Sequence, residues 1–484
     1  MRQAHVNSGD YGENNGEMVS TAPNVVLILV DDLGWTDLTC YDSRFYETPN
    51  IDALAETGVR FTNAYAASPV CSPSRASLMT GKYPARVGIT DWIGGQGVGQ
   101  LSDVPYFHGL PENEYSLARA FGDGGYRTWH VGKWHLGEGS SSPEAHGFDV
   151  NIGGCDIGSP SSYFSPYAIP TLPDGPQGEY LTTRLTDEAV ELINNHDQSR
   201  PFFLNLWHYT VHMPAQAPEG LVQKYRNKAE RLGLPIDAIE PGEDMTAWHL
   251  AGRRVMRRTL QSDPTYAAMV ETLDDSVGAV VEALRDTGQL ENTVIVLTSD
   301  NGGLSTAEGS PTCNAPLSEG KGWMVDGGVR VPLIVSYPGV AIPSATGALT
   351  TTPDLYPTLL GLAKIEPLAN QASDGVDLID VLGGGDFERG PIFWHYPHYS
   401  NQGGTPGAGV REGDWKLIRF FEDGKESLFN LADDPAEHHD QRAHHPEIAQ
   451  RLSTLLDDWS ADVAALVPRR NSAGPRPWPQ RRAD

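Results

Sequence analysis

Val25-Val26-Leu27-Ile28-Leu29-Val30 is a run of six aliphatic residues with no polar interruption, and it stops at Asp31-Asp32. Unbroken aliphatic and β-branched character over so short a stretch predicts a strand buried on both faces. The pattern returns far downstream. Tyr266, Met269, Val270, Leu273, Val277, Val280, Val281 and Leu284 recur at helical spacing, which predicts an amphipathic helix over residues 264–287. A second buried strand, Val294-Ile295-Val296-Leu297, follows and runs out at Thr298-Ser299-Asp300-Asn301-Gly302-Gly303. A third apolar run, Pro201 to Trp207, leads into His208 and His212, and Tyr126 to Val131 reads as a further strand. Helices alternating with buried strands imply an α/β fold, a mainly parallel sheet covered on both faces. Ligands of such sheets bind beyond the carboxyl ends of the strands. Residues 216–263 are charged and read as an irregular surface excursion beside that cleft.

The polar residues at those ends are chemically specific. Asp31, Asp32, Asp300 and Asn301 offer hard oxygen donors, a set that suits calcium or magnesium better than zinc or copper. Between the two pairs lies Cys71-Ser72-Pro73-Ser74-Arg75, running on to Thr80-Gly81. Ser72-Pro73 reads as a helix start, because proline suits the first helical position, and Gly81 is placed to end that helix. A helix N-terminus presents free N–H donors, so Cys71 faces an anion-binding site and Arg75 adds a full charge one turn on. Lys133 and His135, in Gly132-Lys133-Trp134-His135-Leu136-Gly137, project to one face if the chain stays extended there. Lys321 sits in a glycine-bracketed loop, Gly320-Lys321-Gly322.

The Cys-x-Pro-x-Arg motif with its Thr-Gly, and the Gly-Lys-Trp-His-Leu-Gly segment, resemble the two signatures of the sulfatase family. The resemblance runs from about Pro23 to about residue 440 and includes Thr48-Pro49-Asn50-Ile51-Asp52, His146-Gly147-Phe148-Asp149 and Gly327-Gly328-Val329-Arg330-Val331-Pro332. It implies an alkaline phosphatase-like fold and a sulfuric ester hydrolase. It further implies that a separate maturation enzyme oxidises Cys71 to formylglycine, whose hydrate attacks sulfur, expels the alcohol and then ejects sulfate. By the same resemblance Asp31, Asp32, Asp300, Asn301 and residue 71 hold one divalent cation, usually calcium, with magnesium the alternative. Lys133 and Lys321 grip sulfate oxygens, Arg75 supports the diol, and His135 orients it and accepts its second proton. His212 donates a proton to the leaving alcohol, or holds the bridging oxygen together with Lys321. Two departures stand out: Val211 precedes His212 where the family has histidine after proline, leaving His208 as a rival, and Ser318-Glu319 precede Lys321 where the family often has an arginine and a glycine.

The 484 residues are enough for more than one core, and a formal charge of −28 excludes bulk attraction to nucleic acid or anionic membranes. A sulfated substrate is itself an anion, so the site must be locally basic, which screening over about 8 Å permits. Cys40, Cys71, Cys155 and Cys313 are scattered and suggest no disulfide framework. The polar stretch before residue 23 has no apolar signal-peptide run, which points to the cytoplasm. Residues 1–22 read as a leader, 23–375 as the catalytic α/β domain, 376–467 as a smaller α+β domain, and 468–484 as a loose tail. The smaller domain is carried by a hairpin, Trp415 to Phe421 and Ser427 to Leu431 around Asp423-Gly424, and a helix with Leu452, Leu456 and Trp459 on one face. Phe393 to Gly404 is dense in aromatics and amides, and His395 and His398 are its candidate sugar-reading residues. The expected substrate is a sulfated carbohydrate, also an aryl sulfate. A phosphonate monoester or phosphodiester hydrolase of the same superfamily, and a non-catalytic binding protein for sulfated glycans, are the competing readings.

Overall fold

The computed structural model describes residues 22–95, 97–368 and 371–472. The leader expected over residues 1–22 lies outside them except for Ala22, as does the tail from residue 473 on. Residues 469–471 are not loose, for the backbone N–H groups of Ser102 and Asn471 bond to Arg469 and Gln100 carbonyls at 2.8 Å.

Eight strands form the main sheet: β1 (Asn24–Val30), β2 (Val59–Phe61), β3 (Arg127–Gly132), β4 (Val150–Ile152), β5 (Phe202–Trp207), β6 (Thr293–Ser299), β7 (Leu333–Ser336) and β8 (Ser344–Thr346), in the order β8-β2-β7-β6-β1-β5-β3-β4. β1 is central and parallel to both neighbours, β5 and β6; only β7 runs antiparallel to the strands beside it. The apolar run that opens the chain's fold is buried twice over. Val26, Ile28 and Val30 enter one core with the helix Pro264–Asp286, and Val25, Leu27 and Leu29 enter another on the opposite face. Period-two alternation with both sides apolar is why no polar residue interrupts it. The helix Pro264–Asp286 begins where expected, with the Asp263 carboxylate accepting from the N–H groups of Thr265 and Tyr266 at 2.8 and 3.0 Å. The excursion before it is more regular than its composition suggests. It contains a helix, Glu219–Leu232, packed on Pro264–Asp286, and a hairpin of Ile239–Asp244 and Arg254–Arg258.

A second, antiparallel sheet follows: β9 (Ile392–Tyr396), β10 (Gly407–Glu412), β11 (Trp415–Phe420) and β12 (Glu426–Asn430), covered by the helix Pro446–Asp462 through Leu452 and Leu456. Leu378, Val381 and Leu382 pack in the main core, so we place the division between the two units after Leu382 rather than at residue 376. Buried charge joins the second sheet to the segment that precedes β7. Lys416 on β11 binds Asp326 at 2.8 Å and Glu437 at 2.9 Å, and Asp326 lies in the segment that also carries Lys321. Burial, reinforced by Asp326, pushes the Glu437 carboxyl up to about 7 against the pull of Lys416. A raised carboxyl binds its proton more tightly in the folded state, so its contribution to stability is present below about 4.5 and is lost as pH rises through about 7. Glu437→Gln should therefore gain stability relative to the parent as pH is raised through that window. Parallel pH–stability curves in thermal unfolding would contradict this account. No helix among the described residues is long and apolar enough to cross a membrane.

Candidate active site

The helix that carries the cysteine spans Cys71–Thr80 and is buried along its whole length. It starts two residues earlier than Ser72-Pro73 suggested, with Val70 as its extended cap. Pro73 is still in the first turn, where its missing N–H breaks no helical bond. Gly81 ends the helix at φ 69°, its N–H bonded to the Ser77 carbonyl at 2.8 Å, and a Cβ there would lie 2.9 Å from Tyr356. Cys71 therefore sits at the buried N-terminal end. Burial pushes its thiol up, while Lys133 and Lys321 pull the other way.

The strand ends meet around that sulfur. Asp31 follows directly on β1 and Asp300 on β6, and the Asp300 N–H bonds to the Val30 carbonyl at 3.2 Å. Asp32 turns at φ 65°, its N–H bonding to Asp300 Oδ1 at 3.2 Å. Asn301 donates to Asp32 Oδ1 at 2.8 Å. Arg75 reaches Asp300 through Nε at 2.8 Å and the Lys133 carbonyl through Nη1 at 2.9 Å, with Nη2 3.7 Å from Asp31. Lys133 binds Asp31 at 2.7 Å, and Lys321 binds Asp32 at 2.8 Å. His135 Nδ1 is 3.5 Å from the Cys71 sulfur, and His212 Nε2 is 3.6 Å from Asp32. Cys71, Arg75, Lys133, His135, His212, Lys321, Asp31, Asp32, Asp300 and Asn301 thus form one cluster at the carboxyl edge of the sheet.

Residues 23–365 match the profile of the Sulfatase family, and residues 320–462 match N-sulphoglucosamine sulphohydrolase, C-terminal. The chain belongs to the sulfatase family. It is 33% identical to human arylsulfatase A over 471 residues, covering 90% of this chain and 83% of that protein. It is 32% identical to N-acetylgalactosamine-6-sulfatase of Sus scrofa over 398 residues, 77% of this chain and 68% of that one. Among solved structures, Ps i-CgsB in complex with k-i-k-neocarrahexaose superposes with a TM-score of 0.74 at 28% identity, over 93% of this chain and 96% of that one. The protein is a sulfuric ester hydrolase.

Its local geometry departs from the extended-chain reading of Lys133 and His135. β3 stops at Gly132 and His135 adopts φ 55°, with Lys133 reaching Asp31 and His135 reaching Cys71. Two further groups, invisible as motif members, hold this sulfatase's histidine in place. Ser72 Oγ donates to the His135 carbonyl at 2.9 Å and accepts from Ile93 N–H at 3.1 Å, and His135 Nε2 donates to the Ile93 carbonyl at 3.2 Å. Trp207 lies beneath Arg75, 5.3 Å from ring centre to guanidinium carbon.

Of the rival histidines, His208 is fully buried and bonded to Ser276 at 3.0 Å, so His212 is the one that reaches the cluster. Burial, with Lys321 close by, lowers His212 to about 3. Glu319 does not face Lys321: Arg257 takes its carboxylate through three bonds of 2.7–2.9 Å. His395 and His398 are a correction. Both are buried, His395 donating to the Leu466 carbonyl at 2.9 Å and His398 held between Thr90 at 2.8 Å and Asp103 at 2.6 Å. His395 is packed within β9 and His398, just beyond that strand, is held by its two partners, and neither lines the cavity that Asn401 lines. From the same segment it is Asn401 that does, in a cavity of about 580 Å³ bounded also by Trp92 and Gly94, the neighbours of Ile93.

The donor set fits a hard cation. Asp31 Oδ1 and Asn301 Oδ1 are buried without a hydrogen-bond donor, and ligand atoms of Asp31, Cys71 and Asp300 lie within 4.8 Å of one another. Burial raises the Asp31 carboxyl to about 8, with Lys133 pulling the other way and Asp300 and Asp32 adding to the effect. Burial also works against Asp32, yet Lys321, His212 and Lys133 hold it well below the usual carboxylate range.

Proposed function

We propose that this sulfatase hydrolyses the sulfate ester of a sulfated carbohydrate, and small aryl sulfates, using a formylglycine made from Cys71 by a maturation enzyme and a calcium ion. One observation carries the reading: three buried cations, Arg75, Lys133 and Lys321, and three buried carboxylates, Asp31, Asp32 and Asp300, surround the Cys71 end of the helix. With a divalent cation bound and all three carboxylates ionised beside it, the side-chain charges cancel and the pocket is left positive by about two, enough to draw an anionic ester into a chain whose overall charge is negative. When present, the formylglycine hydrate supplies the nucleophile, and the cation supplies neutralising charge beside the sulfuryl oxygens. Asp31, Asp32, Asp300 and Asn301 would hold that cation.

The remaining residues divide the work. His135 spends Nε2–H on the Ile93 carbonyl, which leaves the Nδ1 lone pair facing residue 71, where it can accept a proton from the group attached there. Lys133 commits one N–H to Asp31 and has others for a sulfate oxygen. Lys321 holds positive charge where the bridging oxygen leaves, with His212 beside it; His212 Nδ1–H is bonded to the Met213 carbonyl at 2.8 Å, so Nε2 is the atom turned to the pocket. The names of two relatives, an N-acetylgalactosamine-6-sulfatase and a protein bound to k-i-k-neocarrahexaose, support a carbohydrate substrate.

Side-by-side rates on nitrophenyl sulfate and phenyl phosphonate test the reaction class. The sulfate should be turned over faster, EDTA should abolish that turnover, and calcium should restore it better than magnesium. A faster rate on the phosphonate would transfer the chain to the phosphonate hydrolase reading.

A further inference from the structure

The cavity beside the cluster carries positive charge that the hydrolysis of one sulfate ester does not use. Its outer wall is the loop leading into the strand Arg254–Arg258, and Arg253 and Arg254 both line it. Both are exposed, and neither has an ion-pair partner within 4 Å among the described residues, although Asp244 lies across the hairpin from Arg254. Among the described residues the Arg254 guanidinium donates to the Gly242 carbonyl. Of the other acids nearby, Glu243 and Glu319 both bind Arg257, Glu243 acting on Arg254 only through space, and Glu308 accepts from Gln402 at 2.8 Å. Two guanidiniums adjacent in sequence, exposed at the cavity and without an ion pair within 4 Å among the described residues, keep donors available to an anion that enters it. Among the described residues neither has a hydrogen bond or ion pair to the groups gathered around Cys71, which leaves them for an anion other than the sulfate under attack. The cavity is lined as well by Trp92, Leu250, Met245 and Met256, a surface suited to the faces of a sugar ring.

We propose that this cavity selects a sulfated sugar bearing a second anionic group, a sulfate or a uronate carboxylate, and that Arg253 and Arg254 bind that group through bidentate hydrogen bonds. The inference rests on the sulfatase reading for the position of the first sulfate. Planar guanidiniums match both oxyanions, and the flanking thioethers and indole leave room for the ring that joins the two charges.

Calorimetry on a Cys71→Ala chain, which cannot turn over its ligand, tests it with three probes: N-acetylgalactosamine with one sulfate, the same sugar with two, and a disaccharide in which one sulfate neighbours a uronate. At least one doubly charged probe should bind about tenfold or more tightly than the singly charged one. That ratio should fall to about twofold or less in Arg253→Ala/Arg254→Ala, and recover in part in Arg253→Lys/Arg254→Lys, which keeps charge without the planar fork. It should also shrink with added salt in the parent chain, a readout independent of any substitution. Which doubly charged probe is preferred identifies the second group. Equal affinities, no binding of either doubly charged probe, or a ratio that survives loss of both arginines overturns the proposal. Nitrophenyl sulfate turnover by the unsubstituted chain reports separately on the sulfatase reading.

Discussion

Cys71→Ser is expected to reduce sulfate-ester turnover by a factor on the order of 10⁴–10⁶ while leaving the unfolding midpoint unchanged. The two side chains are nearly the same size, and the thiol makes only the 3.5 Å contact with His135, so folding has little to lose. The chemistry has everything to lose. A formylglycine hydrate carries two hydroxyls on one carbon, and the second, once deprotonated, expels sulfate by restoring the aldehyde. Serine has one hydroxyl on its Cβ. It can attack sulfur, with His135 Nδ1 placed to take its proton, but the resulting serine sulfate has no second oxygen from which to drive the ester out. Peptide mass spectrometry across residues 71–75 should therefore find an aldehyde in the active parent and a sulfated serine accumulating in the variant. A parent that is fully active with an intact thiol, or a serine variant with parental turnover, would end the covalent account.

How far the site could be read in advance depended on whether each feature is local. The strand at Val25–Val30 and the helix over 264–287 are visible because burial on defined faces imposes a periodicity within one segment. Asp31, Asp32, Asp300 and Asn301 are legible for a related reason: strand ends of a parallel sheet are where polar residues converge, and both pairs terminate strongly apolar runs. What failed needed the third dimension. His135 left the extended conformation at φ 55°, which no spacing rule contains. His395 and His398 have the composition of a sugar-binding segment, but packing against Phe421 and the pull of Asp103 turn them inward. Ile93 acts through its backbone carbonyl, so its side chain carries no signal at all. Arg253 and Arg254 lie in a polar stretch where arginine is ordinary, and only the hairpin's placement over the cleft gives them meaning.

The second large effect concerns Asp300, which stands in two roles that a single substitution confounds. Asp300→Ala should destabilise the chain by about 3–5 kcal/mol, because Arg75 is wholly buried and its Nε would lose the carboxylate 2.8 Å away while the guanidinium stays charged. It should also remove hydrolysis, since the cation set loses a donor and the Asp32 N–H loses its acceptor. Replacing both members, Arg75→Met with Asp300→Leu, separates the roles. An apolar pair of similar volume does not carry the desolvation cost of an unpaired ion, so much of the lost stability should return. Activity should not, because neither the support for residue 71 nor the oxygen donor has been rebuilt. Asp31 would keep Lys133 at 2.7 Å in that variant and so would not be left unpaired. If turnover returned together with the unfolding midpoint, Arg75 and Asp300 would be scaffold alone, and the charges needed at the sulfate would have to come from Lys133 and Lys321.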